Sequence, residues 1–406
     1  MHPDAFSARG RSALTLWDRN AQPIGNTHGN DAGATDIPTL NSLALRSLVS
    51  FFDERAQLFR GRVTLGADGF RWGETSRKHT IIALLGLHRL AEAGVPQPFD
   101  ISTIRDVAFR DRSWVKSAGD LGLLTWFTAV CCPDRLGVVF DEFDFENALT
   151  TYQDGREQQT AGVSAFLAGI AHARLACPNL PQDLTDVAVD AYRMIRDNQS
   201  QEGIFGHAGA ARFPRRTSFR RLGTFSDQMC ATSALSTFAQ AFQIEEPLES
   251  ALACGNAICT LQGEMGQWWF LYDKQTCRVV GRYPVLSLHQ YGTAPCALLS
   301  LEEATGRSFH KAISKGLSWL AGANEIGRDL RNVDRAFIWD SIGRRRRLGK
   351  YWDLMLDFLR PSRKTDVDGL SVQYEARPDH LGWLLYAFGK FGLPKAMTVA
   401  KVAATF

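Results

Sequence analysis

The chain has 406 residues, 45% of them hydrophobic and 22% charged, which suits one large repeat-built domain or two to three ordinary ones. A net charge of +3 is too small to mark a nucleic-acid binder by itself. The start of the chain lacks the basic-then-apolar pattern of an export signal, no run reaches membrane-spanning length, and the eight Cys contain no CxxC pair, so a cytoplasmic protein with reduced, buried thiols and no bound metal or cofactor is expected.

In chain order, residues 1–35 are polar, rich in Gly, Asn and Asp, and read as a flexible arm; residues 36–406 read as one domain. Asp36-Ile37-Pro38 starts a helix with an apolar stripe through Leu40, Leu43, Leu48 and Phe51. After a loop over 56–73, a helix beginning at His79 is apolar nearly all round, the mark of a buried helix. The alternation repeats. Amphipathic helices are predicted over 101–110, 144–152, 184–197, 248–262 and 309–321. Each is followed by a more apolar one, beginning near 120, 160, 227, 289 and 380. The last pair is separated by a long insertion, about 324–376, with a basic run. Strand alternation is scarce, so the predicted class is all-α.

Two of the connections share a grammar. Gln262-Gly263-Glu264-Met265-Gly266-Gln267-Trp268 reads Q-x-x-x-G-x-W, and Gln199 to Phe205 is a second copy ending in Phe, each between an amphipathic and a more apolar helix. Six helical hairpins with this inside/outside alternation resemble the (α/α)6 toroid superfamily, over about 36–395. The turn itself is similar to the repeat motif of the squalene-cyclase group. The superfamily resemblance implies a ring of six inner and six outer helices, as in six-hairpin glycosidases, sugar epimerases, lyases and the related terpene-cyclase-like toroids. It also implies a ligand funnel at the inner-helix N-termini, where positive dipole ends converge.

The residues at those starts are the site candidates: His79, Asp120, Glu157 and Gln158, Asp227 and Gln228, His289 and Gln290, Asp379 and His380. Each acid also fits a helix cap, with Ser76, Ser117 and Ser226 as neighbouring caps. His289 and His380 are poor caps, and an imidazole at a positive helix end is pushed towards neutrality, as a general base needs. Aromatics in the same connections, Trp269, Tyr283 and Tyr374, are of a kind that stacks on sugars or lines an isoprenoid cavity, whereas Trp268 and Phe205 read as wedges in their turns. Arg212, Arg215, Arg216, Arg220 and Arg221, and Arg344 to Arg347 with Lys350, are expected to rim the mouth and to favour an anionic saccharide or other anionic ligand. No nucleic-acid-binding module accompanies them.

The expected function is a carbohydrate-active enzyme on an anionic or polymeric saccharide. Hydrolysis would use Asp227 and Asp379, with Asp120 or Glu157 in reserve; epimerisation or elimination would use His289, His380 and Tyr283. His79, Asp120, Gln228, Gln290, Trp269, Tyr374, Arg215 and Arg216 would hold substrate. The alternatives are an isoprenoid enzyme of the terpene-cyclase or prenyltransferase kind and a toroidal binding protein without chemistry.

Overall fold

The structure is a computed structural model that describes residues 36–153, 160–207, 221–345 and 367–394. Its helices are α1 (Ile37–Phe51), α2 (Arg77–Glu92), α3 (Ile101–Arg110), α4 (Ala118–Cys131), the short α5 (Leu136–Glu142), α6 (Phe145–Gln153), α7 (Thr160–Ala176), α8 (Gln182–Asp197), α9 (Phe225–Phe242), α10 (Glu246–Thr260), α11 (Ala294–Thr305), α12 (His310–Leu320) and α13 (Pro378–Phe388). The predicted inner helices are α2, α4, α7, α9, α11 and α13. They pack side by side in that order, and α13 returns against α2 to close a ring. Their starts fall within about two residues of the expected positions, with α11 extended backwards by a turn from Ser287. The amphipathic α1, α3, α6, α8, α10 and α12 form the outer wall.

Glycine lets the inner helices approach. A Cβ on Gly122 of α4 would lie 2.2 Å from the Ala165 carbonyl of α7, and one on Gly86 of α2 would lie 2.3 Å from the Gly382 carbonyl of α13. Backbone contact this close admits no side chain.

The Q-x-x-x-G turns brace neighbouring outer helices. The Gln262 amide donates to the Gly266 carbonyl and to the Ala312 carbonyl of α12, both at 3.0 Å. The Gln199 amide repeats the pattern one unit earlier, donating to Gly203 at 2.9 Å and to Ser250 of α10 at 2.8 Å. Gly203 and Gly266 have φ of +92° and +97°, which glycine alone adopts without strain. Phe205 and Trp268 are fully buried behind these turns, as wedges.

Thirteen short strands among the described residues add to the helices, and all lie in outer-to-inner connections. Three small sheets join neighbouring units. β5 (Leu222–Thr224), β6 (Leu271–Asp273) and β7 (Arg278–Gly281) tie the fourth connection to the fifth. β8 (Val285–Leu286), β11 (Ser341–Arg344) and β12 (Leu370–Gln373) tie the fifth to the sixth. β13 (Glu375–Ala376) pairs with β3 (Val63–Gly66), and so ties the sixth to the first. The second connection, 111–117, carries no strand. All eight thiols are free. Burial raises Cys230, Cys254 and Cys259 to about 12, which keeps them protonated and unreactive. The arm at 1–35 lies outside the described residues, and no described helix is long and apolar enough to cross a membrane.

Candidate active site

The mouth of the ring gathers charged groups from the first, fifth and sixth units. His79 comes from the first turn of α2, whose cap Ser76 accepts from the His79 amide. Asp379 and His380 come from the first turn of α13, which has no side-chain cap. His289 and Tyr291 come from a π-helical turn, His289–Thr293, ahead of α11. Pro295 supplies the reason for that turn. It has no N–H for the Tyr291 carbonyl, and its ring crowds the carbonyl four residues back. The backbone opens, and the Ala294 N–H bonds the His289 carbonyl, five residues back. Such turns recur at functional sites because they re-aim the side chains they carry.

The electrostatics show how near these groups are to one another. Burial lowers the pKa of His79 most; Asp379 opposes the shift, and Arg377, His380 and Lys78 add to it. Burial and the neighbouring His380 push His289 down to about 3, so it is neutral at physiological pH. Burial pushes the Tyr291 phenol well up, reinforced by Asp340 and Asp379, so it stays protonated and able to donate. His380 Nδ1 lies 3.8 Å from Asp340 Oδ1. Asp340 is fixed by β11 and by the Ser287 amide, which donates to its carbonyl at 2.7 Å. Three atoms in this group are buried with no hydrogen-bond partner among the described residues: His79 Nδ1, His289 Nδ1 and Asp379 Oδ1. Buried polar atoms are normally satisfied, so these three have bonds left to make with water or with a ligand. Among the described residues no group of three or more His, Cys, Asp or Glu is arranged to hold a metal ion.

The predicted residues divide accordingly. His79, His289, Asp379 and His380 are brought together. Asp227 is not part of that group. Its carboxylate accepts from the Thr224 amide (2.8 Å) and hydroxyl (2.6 Å), from His207 Nδ1 (2.8 Å) and from the Ala161 amide of α7 (3.1 Å). Thr224, and not Ser226, is the cap of α9, in a reciprocal capping box with Asp227. Asp227 is fully buried and its lone pairs are taken, which makes it a tie between units. Ser226 instead lies 3.4 Å from His289 Nε2. Gln228 is likewise fully buried and tied to the turn: it accepts from the Phe205 amide at 2.7 Å and donates to the Phe205 carbonyl at 2.8 Å. Gln290 is fully buried and donates to Leu286.

Tyr283, expected as an acid or base, is 8% exposed and donates to Glu325 at 3.0 Å. Glu325 also receives Gln267 and the Trp319 indole, so it is a structural hub. Trp269 is half-buried under the Arg282 guanidinium, 5.5 Å from its ring. Asp120 pairs with Lys78 and accepts from the Lys116 amide, one unit along from His79. Tyr374 is 49% exposed and stands edge-on to Trp339, the residue before Asp340 in the chain. Glu157, Gln158, Arg212, Arg215, Arg216, Arg220, Arg346, Arg347 and Lys350 lie outside the described residues. Arg221 is paired with Asp273 at 2.7 Å.

Sequence reading missed Tyr291, Asp340 and Arg377. Pro295 inside an apolar helical run was the available signal for Tyr291. Asp340 precedes a strand in the insertion, away from any helix start.

No family model matches the chain, and no curated protein matches it in sequence. Solved structures do. An unsaturated glucuronyl hydrolase specific for heparin is 12% identical, with 87% of this chain and 96% of that one covered at a TM-score of 0.54. A sugar epimerase from a ruminal bacterium is 10% identical, with 88% and 99% covered at 0.55. A glycoside hydrolase family 76 mannosidase from Bacteroides thetaiotaomicron is 10% identical, with 88% and 98% covered at 0.54. The chain is an (α/α)6 toroid. At this identity the likeness concerns the fold, and the chemistry of this toroid has to be argued from its own side chains.

Proposed function

We propose that this toroid is a carbohydrate-active enzyme that moves protons at its mouth, with His79, His289, Asp379 and His380 as its acid/base set and Tyr291 and Asp340 beside them. The observation that carries the reading is the meeting of three imidazoles and two carboxylates from three units, with orphaned polar atoms on His79, His289 and Asp379. A neutral imidazole accepts a proton, and a group that carries one, such as the protonated Tyr291 phenol, returns one, which is the requirement for epimerisation or elimination next to a carbonyl. Arg377, which is ion-paired with Glu375 at 2.6 Å and also feels the charge of Asp379, keeps a cation near the mouth that suits an acidic sugar. The heparin-specific glucuronyl hydrolase and the sugar epimerase among the structural neighbours support a saccharide of that kind.

Hydrolysis is the second reading, favoured by the presence of two carboxylates, Asp379 and Asp340, at one mouth. Asp227 contributes to neither route, because its oxygens are already occupied.

Incubation with acidic mono- and oligosaccharides in D2O, read by mass spectrometry, tests the proposal. Proton transfer at carbon adds one deuteron to product or recovered substrate. Cleavage with no deuterium at carbon selects hydrolysis when water has been added across the bond, and elimination when the product carries a new double bond. No change in any saccharide, with the protein folded, sinks the enzyme reading and leaves a toroidal binding protein.

A further inference from the structure

Below the mouth the lumen has two unlike walls. Along α9, Ser226, Cys230 and Ser233 are half-buried while their neighbours in sequence are buried; along α11 the half-buried set is Thr293, Cys296 and Ser300. Spacings of three and four residues place each set on one face of its helix. The outer helices cover the other faces, so these stripes face the lumen. They are small thiols and hydroxyls. The rest of the wall is aromatic, and it adjoins the first where Cys296 Sγ meets the Trp383 carbonyl at 3.4 Å. The Trp126 ring of α4 stacks on His172 of α7 at 4.6 Å and 13°, and lies 5.3 Å from Trp383 and 5.4 Å from Tyr386 of α13. The Arg89 guanidinium of α2 sits 4.9 Å over the Tyr386 ring and donates to its hydroxyl. These five side chains from four inner helices span the barrel and give it a floor.

At the top of the aromatic wall Asp379 begins the stripe Asp379-Trp383-Tyr386. Trp383 is one helical turn below Asp379, about 6 Å, and Tyr386 is about 10 Å below it. That depth is comparable to one sugar ring. At the top of the small-residue wall, His289 is 1% exposed, its Nδ1 has no partner among the described residues, and Ser226 stands at its other nitrogen.

We infer that the lumen is a blind subsite for a single ring, so that a saccharide enters by its chain end and only its terminal residue reaches the reacting groups. The inference rests on the carbohydrate reading above and sharpens it. The apolar face of the terminal ring lies on Trp383, as carbohydrate C–H faces do on indoles, and its hydroxyls meet Ser226, Ser233 and Thr293. The rest of the chain leaves through the mouth.

A ladder of acidic oligosaccharides from two to six residues, tagged at one end, provides the test, with first-turnover products identified by mass spectrometry. The expected result is alteration of the terminal residue alone at every length. Trp383→Ala should raise KM at least tenfold with little change in kcat. Ser233→Leu, which fills the lumen from the other wall, should cut kcat/KM at least a hundredfold while the thermal melt shows a folded protein. Products altered at internal positions overturn the inference and leave the enzyme reading standing. A folded Ser233→Leu protein with kcat/KM within twofold of the parent also overturns it. No altered saccharide at any length overturns both.

Discussion

The two halves of the ring are built differently. From the fourth unit through the fifth and sixth to the first, long outer-to-inner connections carry all the strands found among the described residues, and sheets bind each unit to the next. Across the second unit the connection is short, 111–117, and its polar groups cap the helix: Ser117 accepts from the Asp120 amide and Asp120 pairs with Lys78. The reactive cluster sits in the half with the sheets. A helix start alone offers a cap site, and it takes a second element to hold a carboxylate or imidazole in place without consuming its hydrogen bonds. Asp227 and Asp379 show this in the first turns of two inner helices. Asp227 spends both oxygens on Thr224, His207 and Ala161. Asp379 keeps Oδ1 unpaired because its helix has no side-chain cap and its surroundings are set by β11 to β13.

Four measurements would break or sharpen that contrast. The largest effect is expected at Asp379: Asp379→Asn should lower kcat about 10³-fold with the melting temperature nearly unchanged. Loss of stability in place of activity would make it a cap like Asp227. Next is pH. An unfolded histidine titrates near 6.5 and folded His289 near 3, so the unfolded state takes up the proton first. Stability is therefore full above about pH 6.5 and declines as pH falls towards 3, by roughly 4 kcal/mol from this group alone. Urea melts at several pH values should show the decline, and His289→Phe should make it shallower. Third, Asp227→Ala should cost about 2–4 kcal/mol in urea melts, because the Ala161 and Thr224 donors lose their partner, with activity per folded molecule retained. Abolished turnover in a stable Asp227→Ala protein would return Asp227 to the site. Smallest is Asp120→Asn on the half without sheets, expected to cost less than about 1 kcal/mol because Lys78 is half-exposed, and to leave kcat within a few-fold.

The helical ring was legible because buried helices such as Ile81 to Leu87 are apolar all round and their partners are not, a difference that one chain displays over every window of ten residues. The strands were not. They run two to four residues, too short for alternation to register, and their partners are remote: Glu375 pairs with Thr64. The site was half legible for the same reason. His79, His289, Asp379 and His380 stand at helix starts, where chain position gives spatial position. Asp340 reaches the mouth only through β8–β11 pairing. Tyr283 misled because a tyrosine near a funnel looks alike in sequence whether its hydroxyl is free or bonded to Glu325.

The close approach of Gly86 and Gly382 marks the clasp of a belt. His79 lies just inside one end of the belt, and Asp379 and His380 just inside the other. Contacts between the chain's two ends form late and at high entropic cost, since the whole intervening loop has to be closed first. The reactive groups therefore do not exist as a group in a partly folded or clipped chain. A molecule whose ring has not closed would lack the group altogether, so that on the enzyme reading proposed above turnover would report ring closure.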